Sequence, residues 1–360
     1  VGLLEAGVNI LIIRLSSMGD VIHTLPALRA MRTAFPESKL GWVVEDAHAA
    51  VLFGLPELDN LYVLPRNRMR EGWGGWWSVG AGMKARMREV RWDIAIDFQG
   101  LWKSLLVAHW SGAKRVLGYS PSVEHTHWFY SDRVQLPTLD RHAVDRNLDL
   151  VSCLGCSVHR AESRSEIHRD FTLPISFADR QAAKALLESL GLPEGSPRIL
   201  LNFAARKPAN QWGVERFARL AALLHQSGMT PILTGGPGDG QLATEIQAKA
   251  GVSLPSLVGQ CSLMQLAALM EACNALVTGD TGPMHIAVAV GLPVVAVFGP
   301  ANPIRTGPYS PDAVVLQKPR ECQPCYGRIC KFNQQPPPCL LDIGAEEVFI
   351  KVLDLLSPPD

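Results

Sequence analysis

Short runs rich in Val, Ile and Leu recur along the whole chain, and most are followed by a stretch with helical spacing. "NILIIRL" from Asn9 predicts a strand and Val21 to Ala34 a helix. "KLGWVVE" from Lys39 and "LYVLP" from Leu61 predict further strands, and "DIAIDF" from Asp93 a strand leading into a helix over Leu101 to His109. Such alternation implies an α/β architecture, a parallel sheet covered by helices on both faces. The second half repeats it. Strands are expected at "RILLNFA" from Arg198, "TPILTGG" from Thr230, "ALVTGD" from Ala275 and "PVVAVFG" from Pro293, with helices between them. The chain has 360 residues, more than one ordinary core accommodates, so two domains are expected. The amphipathic stretch from Phe177 to Leu192 lies between Pro/Gly-marked segments and reads as the start of the link between them. The expected division is residues 1–175, residues 176–344, and a last helix within 345–360 that can cross back onto the first domain. Ligands of two such sheets bind at the carboxyl ends of the strands, in a cleft between the domains.

Composition removes several classes of function. Lys+Arg and Asp+Glu both number 34, which argues against a general nucleic-acid binder while permitting a local basic patch. A hydrophobic share of 47% fits a folded chain. The most apolar segment, "IAVAVGLPVVAVFG" from Ile286, is too short to span a membrane and contains Gly291 and Pro293. "VGLLEAGVNILIIRL" lacks a basic region and a cleavage site, so a cytoplasmic, reducing compartment is expected.

"GDTGPMH" carries the clearest ligand signal. A strand ends at Asp280, Thr281 and Gly282 form a turn, and Pro283 falls at a helix start, where its missing N–H is harmless. The free N–H groups of that start suit a diphosphate, with His285 one turn in. The plainer account is that Asp280 and Thr281 cap the helix. No GxGxxG fingerprint argues for a dinucleotide, and no D-x-D pair is placed to hold a divalent ion. "LPRNRMREGWGGWWSVG" places Arg66, Arg68 and Arg70 beside Trp73, Trp76 and Trp77 among glycines. It reads as a surface loop whose arginines meet phosphate or carboxylate oxygens and whose tryptophans stack on sugars or meet a lipid interface. His142 and Arg146 stand four residues apart on an expected helix, either meeting ligand or capping local structure. Cys322, Cys325, Cys330 and Cys339 follow a C-x2-C-x4-C-x8-C pattern. They are read as a structural loop with free or paired thiols, with zinc the second reading and an iron–sulfur cluster the third. Cys153 and Cys156 read as core packing on a helix.

"RLSSMGDVIHTLPAL", "DFQGLWKS", "RKPANQWGVERFA" and "GDTGPMHIAVAVGLPVVAVFGP", in this order and together with the late cysteines, resemble the glycosyltransferase family 9 heptosyltransferases over nearly the whole chain. "DFQGLWKS" and "RHAVDRN" look most like the branch that adds the first heptose of the lipopolysaccharide inner core. The resemblance implies a GT-B fold and an inverting, metal-independent transfer without a cofactor. The donor would be ADP-L-glycero-D-manno-heptose, bound by the second domain, and the acceptor a Kdo-bearing lipid A, bound by the first. It also implies a cytoplasmic enzyme working peripherally at the inner face of the inner membrane. The implied donor set is Asp280, Thr281, Gly282, Pro283 and His285, with Arg206, Lys207 and Asn210. Asn210 stands where the family usually has a lysine, and Gly213 replaces a proline, so Arg206 or Lys207 would supply the charge from a shifted position or be ordinary solvated cations. The acceptor set is Ser17, Gly19, Arg66, Arg68, Arg70, Gln99, Lys103, His142 and Arg146. Asp20 is placed at the family's catalytic aspartate, as the base for the acceptor hydroxyl. A helix cap is the plainer role for it, and the two are compatible. His23 would be the next base to test. Two other functions share the architecture: a nucleotide-sugar epimerase of GT-B fold, and a non-catalytic two-domain sugar-nucleotide binding protein.

Overall fold

The structure, a computed structural model, describes residues 7–69, 72–136, 138 and 140–357. The chain divides into two compact units, Val1–Arg160 and Ala161–Asp360. The first contains a six-stranded parallel sheet built from β1 (Ile10–Ile13), β2 (Leu40–Glu45), β3 (Asn60–Leu64), β4 (Ile94–Asp97), β5 (Arg115–Ser120) and β6 (Asp132–Gln135). The strand order is β3-β2-β1-β4-β5-β6. Every residue of β1 is fully buried, which is why its sequence shows an unbroken apolar run. Leu11, Ile13, Val43 and Leu64 pack with Val79, Met83, Met87 and Leu105 from the covering helices Trp73–Met87 and Trp102–Ser111.

The second unit holds β7 (Arg198–Asn202), β8 (Thr230–Thr234), β9 (Ala275–Gly279), β10 (Val294–Phe298) and β11 (Val314–Gln317), in the order β11-β10-β9-β7-β8 and again parallel. The two orders are the dinucleotide-binding and flavodoxin-like variants of the doubly wound fold. In such sheets a crevice opens where connections leave in opposite directions from neighbouring strands, and ligands bind outside the carboxyl ends there. That point lies between β1 and β4 in the first unit and between β7 and β9 in the second.

The units divide at Arg160, earlier than the expected residue 175. Helix Arg164–Asp170 joins the second unit because it packs on helix Gly282–Ala289, with the His168 ring meeting the Ala289 carbonyl at 3.1 Å. The terminal helix Ala345–Leu356 packs on helix Val214–Gln226 and on β10 and β11 of its own unit. The expected helix from Val21 to Ala34 is two helices, Met18–Ile22 and Leu25–Ala34. Pro26 has no N–H to donate to the Ile22 carbonyl, and the Thr24 N–H turns to the Val21 carbonyl while its hydroxyl donates to the Asp20 carbonyl (2.8 Å). The expected Arg/Trp loop is also helical, over Arg66–Met69 and Trp73–Met87. The four glycines of helix Trp73–Met87 mask an i, i+4 series of Val79, Met83 and Met87 that enters the core, while Trp76 packs against Trp110 at 5.7 Å. Among the described residues no helix is long and apolar enough to cross a membrane.

Candidate functional site

The turn after β1 sits at the first crevice. Ser17 is the N-cap of helix Met18–Ile22, and Asp20 is its third residue, not the cap itself. Asp20 Oδ2 accepts from the Ser17 N–H (3.0 Å) and hydroxyl (2.8 Å), while Oδ1 faces the Arg14 guanidinium at 2.6 Å. Gly19 lies inside the helix and not at a bend. Arg14 is buried, donates to the Phe98 carbonyl beyond β4, and so fixes the charge that holds Asp20. A third of the Asp20 side chain stays open to solvent, so the carboxylate is anchored yet reachable.

The β4 loop closes on the same turn. The Gln99 amide oxygen accepts from Leu15 N–H (2.9 Å), and its nitrogen donates to Ser16 Oγ (3.3 Å). Lys103 Nζ reaches Ser16 Oγ at 3.1 Å and Glu45 Oε1 at 2.7 Å, and Arg66 Nε lies 3.5 Å from Glu45 Oε2. Gln99 and Lys103, expected to meet the acceptor, are seen to hold the turn before Asp20 through Leu15 and Ser16. Glu45, which sequence reasoning passed over, gathers two of the expected acceptor cations. The loop itself hangs on Asp97, fully buried at the end of β4, which accepts from Gln99 N–H, Gly100 N–H, Ser104 Oγ and Tyr130 OH. Burial pushes the Asp97 carboxyl up, against those hydrogen bonds.

The remaining expected acceptor residues are more dispersed. Arg68 is exposed, and Arg70 lies outside the described residues. His142 is the N-cap of helix Ala143–Ser152, accepting from Val144 N–H at 3.2 Å, and its ring meets the His23 ring edge-on at 4.9 Å. His23 is buried, which places it inside the protein and not at an open face. The Arg146 guanidinium covers the buried Tyr119 ring at 5.2 Å.

The turn after β9 carries the Asp280 carboxylate and is tied by amide and hydroxyl side chains. Asn202, at the end of β7, donates to Thr278 Oγ1 (2.8 Å) and Thr281 Oγ1 (3.0 Å). Asn210 donates to the Asp280 carbonyl (2.9 Å) and Oδ2 (3.1 Å), so it clamps Asp280. Gly279 is required there: a Cβ would stand 2.8 Å from the Asn210 carbonyl oxygen. Helix Gly282–Ala289 begins after Thr281, whose side chain makes no capping bond, with Pro283 in its first turn. His285 is buried in that helix. Arg206 is exposed and Lys207 half-buried, with no ion pair to either among the described residues.

The cysteine-rich segment supports this second turn. Gln335 donates to the Pro208 carbonyl (2.9 Å), and Ala209 N–H donates to the Arg328 carbonyl (3.2 Å). Gly213 takes φ +109°, a value closed to proline, and Pro336 packs where its Cβ would lie. Cys322, Cys325, Cys330 and Cys339 line one small cavity with Ala209. Among the described residues no group of three His, Cys, Asp or Glu side chains is arranged to hold a metal ion. Burial, then the neighbouring thiols, raise the Cys339 pKa. Cys156 is buried, as expected, but it and Cys153 lie just beyond helix Ala143–Ser152, and burial pushes the Cys156 thiol up to about 12.

Residues 81–335 match the family described as glycosyltransferase family 9 (heptosyltransferase). Lipopolysaccharide heptosyltransferase 1 of Pseudomonas aeruginosa is 26% identical, covering 98% of this chain and 99% of that protein. A glycosyltransferase family 9 structure from Veillonella parvula superposes with a TM-score of 0.82 at 26% identity, covering 99% of both chains. The structure of Escherichia coli heptosyltransferase WaaC with ADP gives a TM-score of 0.74 at 24% identity, over 96% of this chain and 99% of that one.

Proposed function

Since the chain belongs to glycosyltransferase family 9 and has the GT-B fold, we propose that it transfers heptose from an ADP-heptose donor to a lipid-A-type acceptor of the lipopolysaccharide inner core. The observation that carries this reading is the Asp20 turn: a carboxylate fixed by Arg14 and Ser17 at the crevice of the first sheet, with a third of its surface open. Asp20 takes the acceptor hydroxyl proton as that oxygen attacks the anomeric carbon. The C–O bond to ADP breaks on the opposite face, and the configuration inverts. An ordinary carboxylate is a weak base, so it acts as the attacking hydroxyl becomes acidic in the transition state. In the second unit, the first-turn N–H groups of helix Gly282–Ala289 receive the diphosphate, with Arg206 and Lys207 at the rim. The acceptor is held in a membrane, and the enzyme works at that surface.

The test is incubation with ADP-heptose and a Kdo-bearing lipid A, with products read by mass spectrometry. An acceptor heavier by one heptose, with ADP released, supports the reading. Release of free heptose alone, or isomerised donor, overturns it.

A further inference from the structure

The first unit exposes a compact group of large apolar side chains: Trp102 (53%), Leu106 (42%), Val123 (76%), Trp128 (67%) and Phe129 (56%). Trp102 and Leu106 lie one turn apart on helix Trp102–Ser111, and the others come from the connection between β5 and β6. The group is held together. The Trp102 and Phe129 rings meet at 5.2 Å, the Trp102 N–H donates to Glu124 (2.7 Å), and Gly100 packs against Ser122 so closely that a Cβ would stand 3.1 Å from it. Beneath it a buried network of Ser122, Thr126, His127 and Tyr130 ends on Asp97. The fold thus keeps five apolar side chains in water on a rigid platform, an arrangement that marks an interaction surface.

We infer that this platform is the membrane-docking surface of the enzyme, with Trp102, Trp128 and Phe129 entering the interfacial zone of an anionic bilayer. Two features select a bilayer. Arg133 covers the Trp128 ring at 5.6 Å and donates to its carbonyl (3.2 Å), placing a guanidinium at the edge of the apolar group where lipid phosphates would lie. The platform is also continuous with the acceptor residues: Trp102 directly precedes Lys103, and Gln99 lies on the same loop. The inference rests on the reading above that the acceptor is lipid-anchored. A surface that seats the bilayer beside the Asp20 turn lets the enzyme meet a headgroup that never leaves the membrane.

The test uses the full chain and vesicles of phosphatidylethanolamine and phosphatidylglycerol without acceptor. Wild type should co-float with them, and Trp102→Ala/Phe129→Ala should lower the partition at least about tenfold, as expected for removing two inserted rings. The same variant should keep its turnover on a deacylated, water-soluble acceptor and lose it on acceptor embedded in vesicles. Val123→Asp with Trp128→Ala serves as an independent variant, and thermal melts check folding. Wild type that fails to float, or a folded double variant that floats equally well, overturns the inference. So does a wild-type dimer that the substitutions dissolve, which would make this face a contact between copies of the chain. Vesicle binding without heptosyl transfer to either acceptor would support the docking surface and overturn the proposed reaction.

Discussion

The turns that follow β1 and β9 each border the crevice of a doubly wound sheet, and each carries an aspartate, yet they are stabilised by different means. After β1 the carboxylate of Asp20 meets a guanidinium, and the surrounding loop is tied by a lysine–glutamate–arginine chain. After β9, Asp280 is clamped by the amide of Asn210, and the turn below it is a cluster of hydroxyls and an amide from Asn202, Thr278 and Thr281. The first arrangement pairs a carboxylate with a buried guanidinium and places two more cations on Glu45 beside it. The second ties its carboxylate with an amide and leads directly into a helix start.

Asp20→Asn is the sharpest way to break that contrast. The amide keeps the size and can still accept from Ser17, but it cannot take a proton. Turnover should fall by about 10²–10⁴, while calorimetric titration shows unchanged affinity for ADP. Near-native turnover would move the base elsewhere and leave Asp20 as part of a capping box. The complementary change, Asp280→Ala, removes one acceptor of the Asn210 clamp and loosens the turn into helix Gly282–Ala289. Affinity for ADP should drop about ten- to a hundredfold in a protein that melts cooperatively. If Asp280→Ala instead lowered turnover at saturating donor and spared affinity, the two turns would not have separate tasks.

The strands of both sheet centres were legible because burial on both faces leaves an uninterrupted apolar run, as in Ile10–Ile13 and Val294–Phe298. β5, β6 and β11 were missed for the converse reason. β5 contains Gly118, where a Cβ would stand 2.3 Å from the Tyr130 ring, β6 has a single apolar residue, and β11 is an edge strand only half-buried. Asp20 and Asp280 stood out because each follows a glycine in a segment after an apolar strand, and it was the family resemblance, not the local pattern, that suggested a base at Asp20. Arg14, Glu45 and Asn202 could not be assigned from local pattern: each matters through a partner that the sheet order, not the sequence order, brings near. A single charged residue closing an apolar strand, as Glu45 closes "LGWVVE", is the signal that remained available. Gly213 shows the same limit, since its φ of +109° answers to Pro336, more than a hundred residues on.

A smaller effect should separate the acceptor cations from the donor side. Arg66→Ala with Arg68→Ala removes two guanidinium groups of helix Arg66–Met69, one of them exposed and one partly neutralised by Glu45. The Michaelis constant for a phosphorylated acceptor should rise about five- to tenfold, and added salt should narrow the difference as exposed charges are screened over about 8 Å. The donor constant should hardly move. A parallel rise in both constants would mean that these arginines support the fold of helix Trp73–Met87 and not the acceptor.

The smallest effect is expected at the rim of the second turn. Arg206 is exposed and Lys207 half-buried, and neither is anchored by an ion pair among the described residues. Solvent-exposed cations of this kind contribute about 0.2–1 kcal/mol each to holding an anion. A helix start contributes a similar or larger amount without any charged side chain, and it is little affected by substitutions outside its first turn. Arg206→Ala with Lys207→Ala should therefore weaken ADP binding only about two- to fivefold, and the loss should shrink in high salt. The same titration on Asp280→Ala should retain its larger deficit at every salt concentration, because that deficit comes from geometry at the turn and not from screened charge. A loss beyond about a hundredfold in the Arg206/Lys207 variant would show that the second turn, like the first, works through fixed cations, and the contrast between the two would fall.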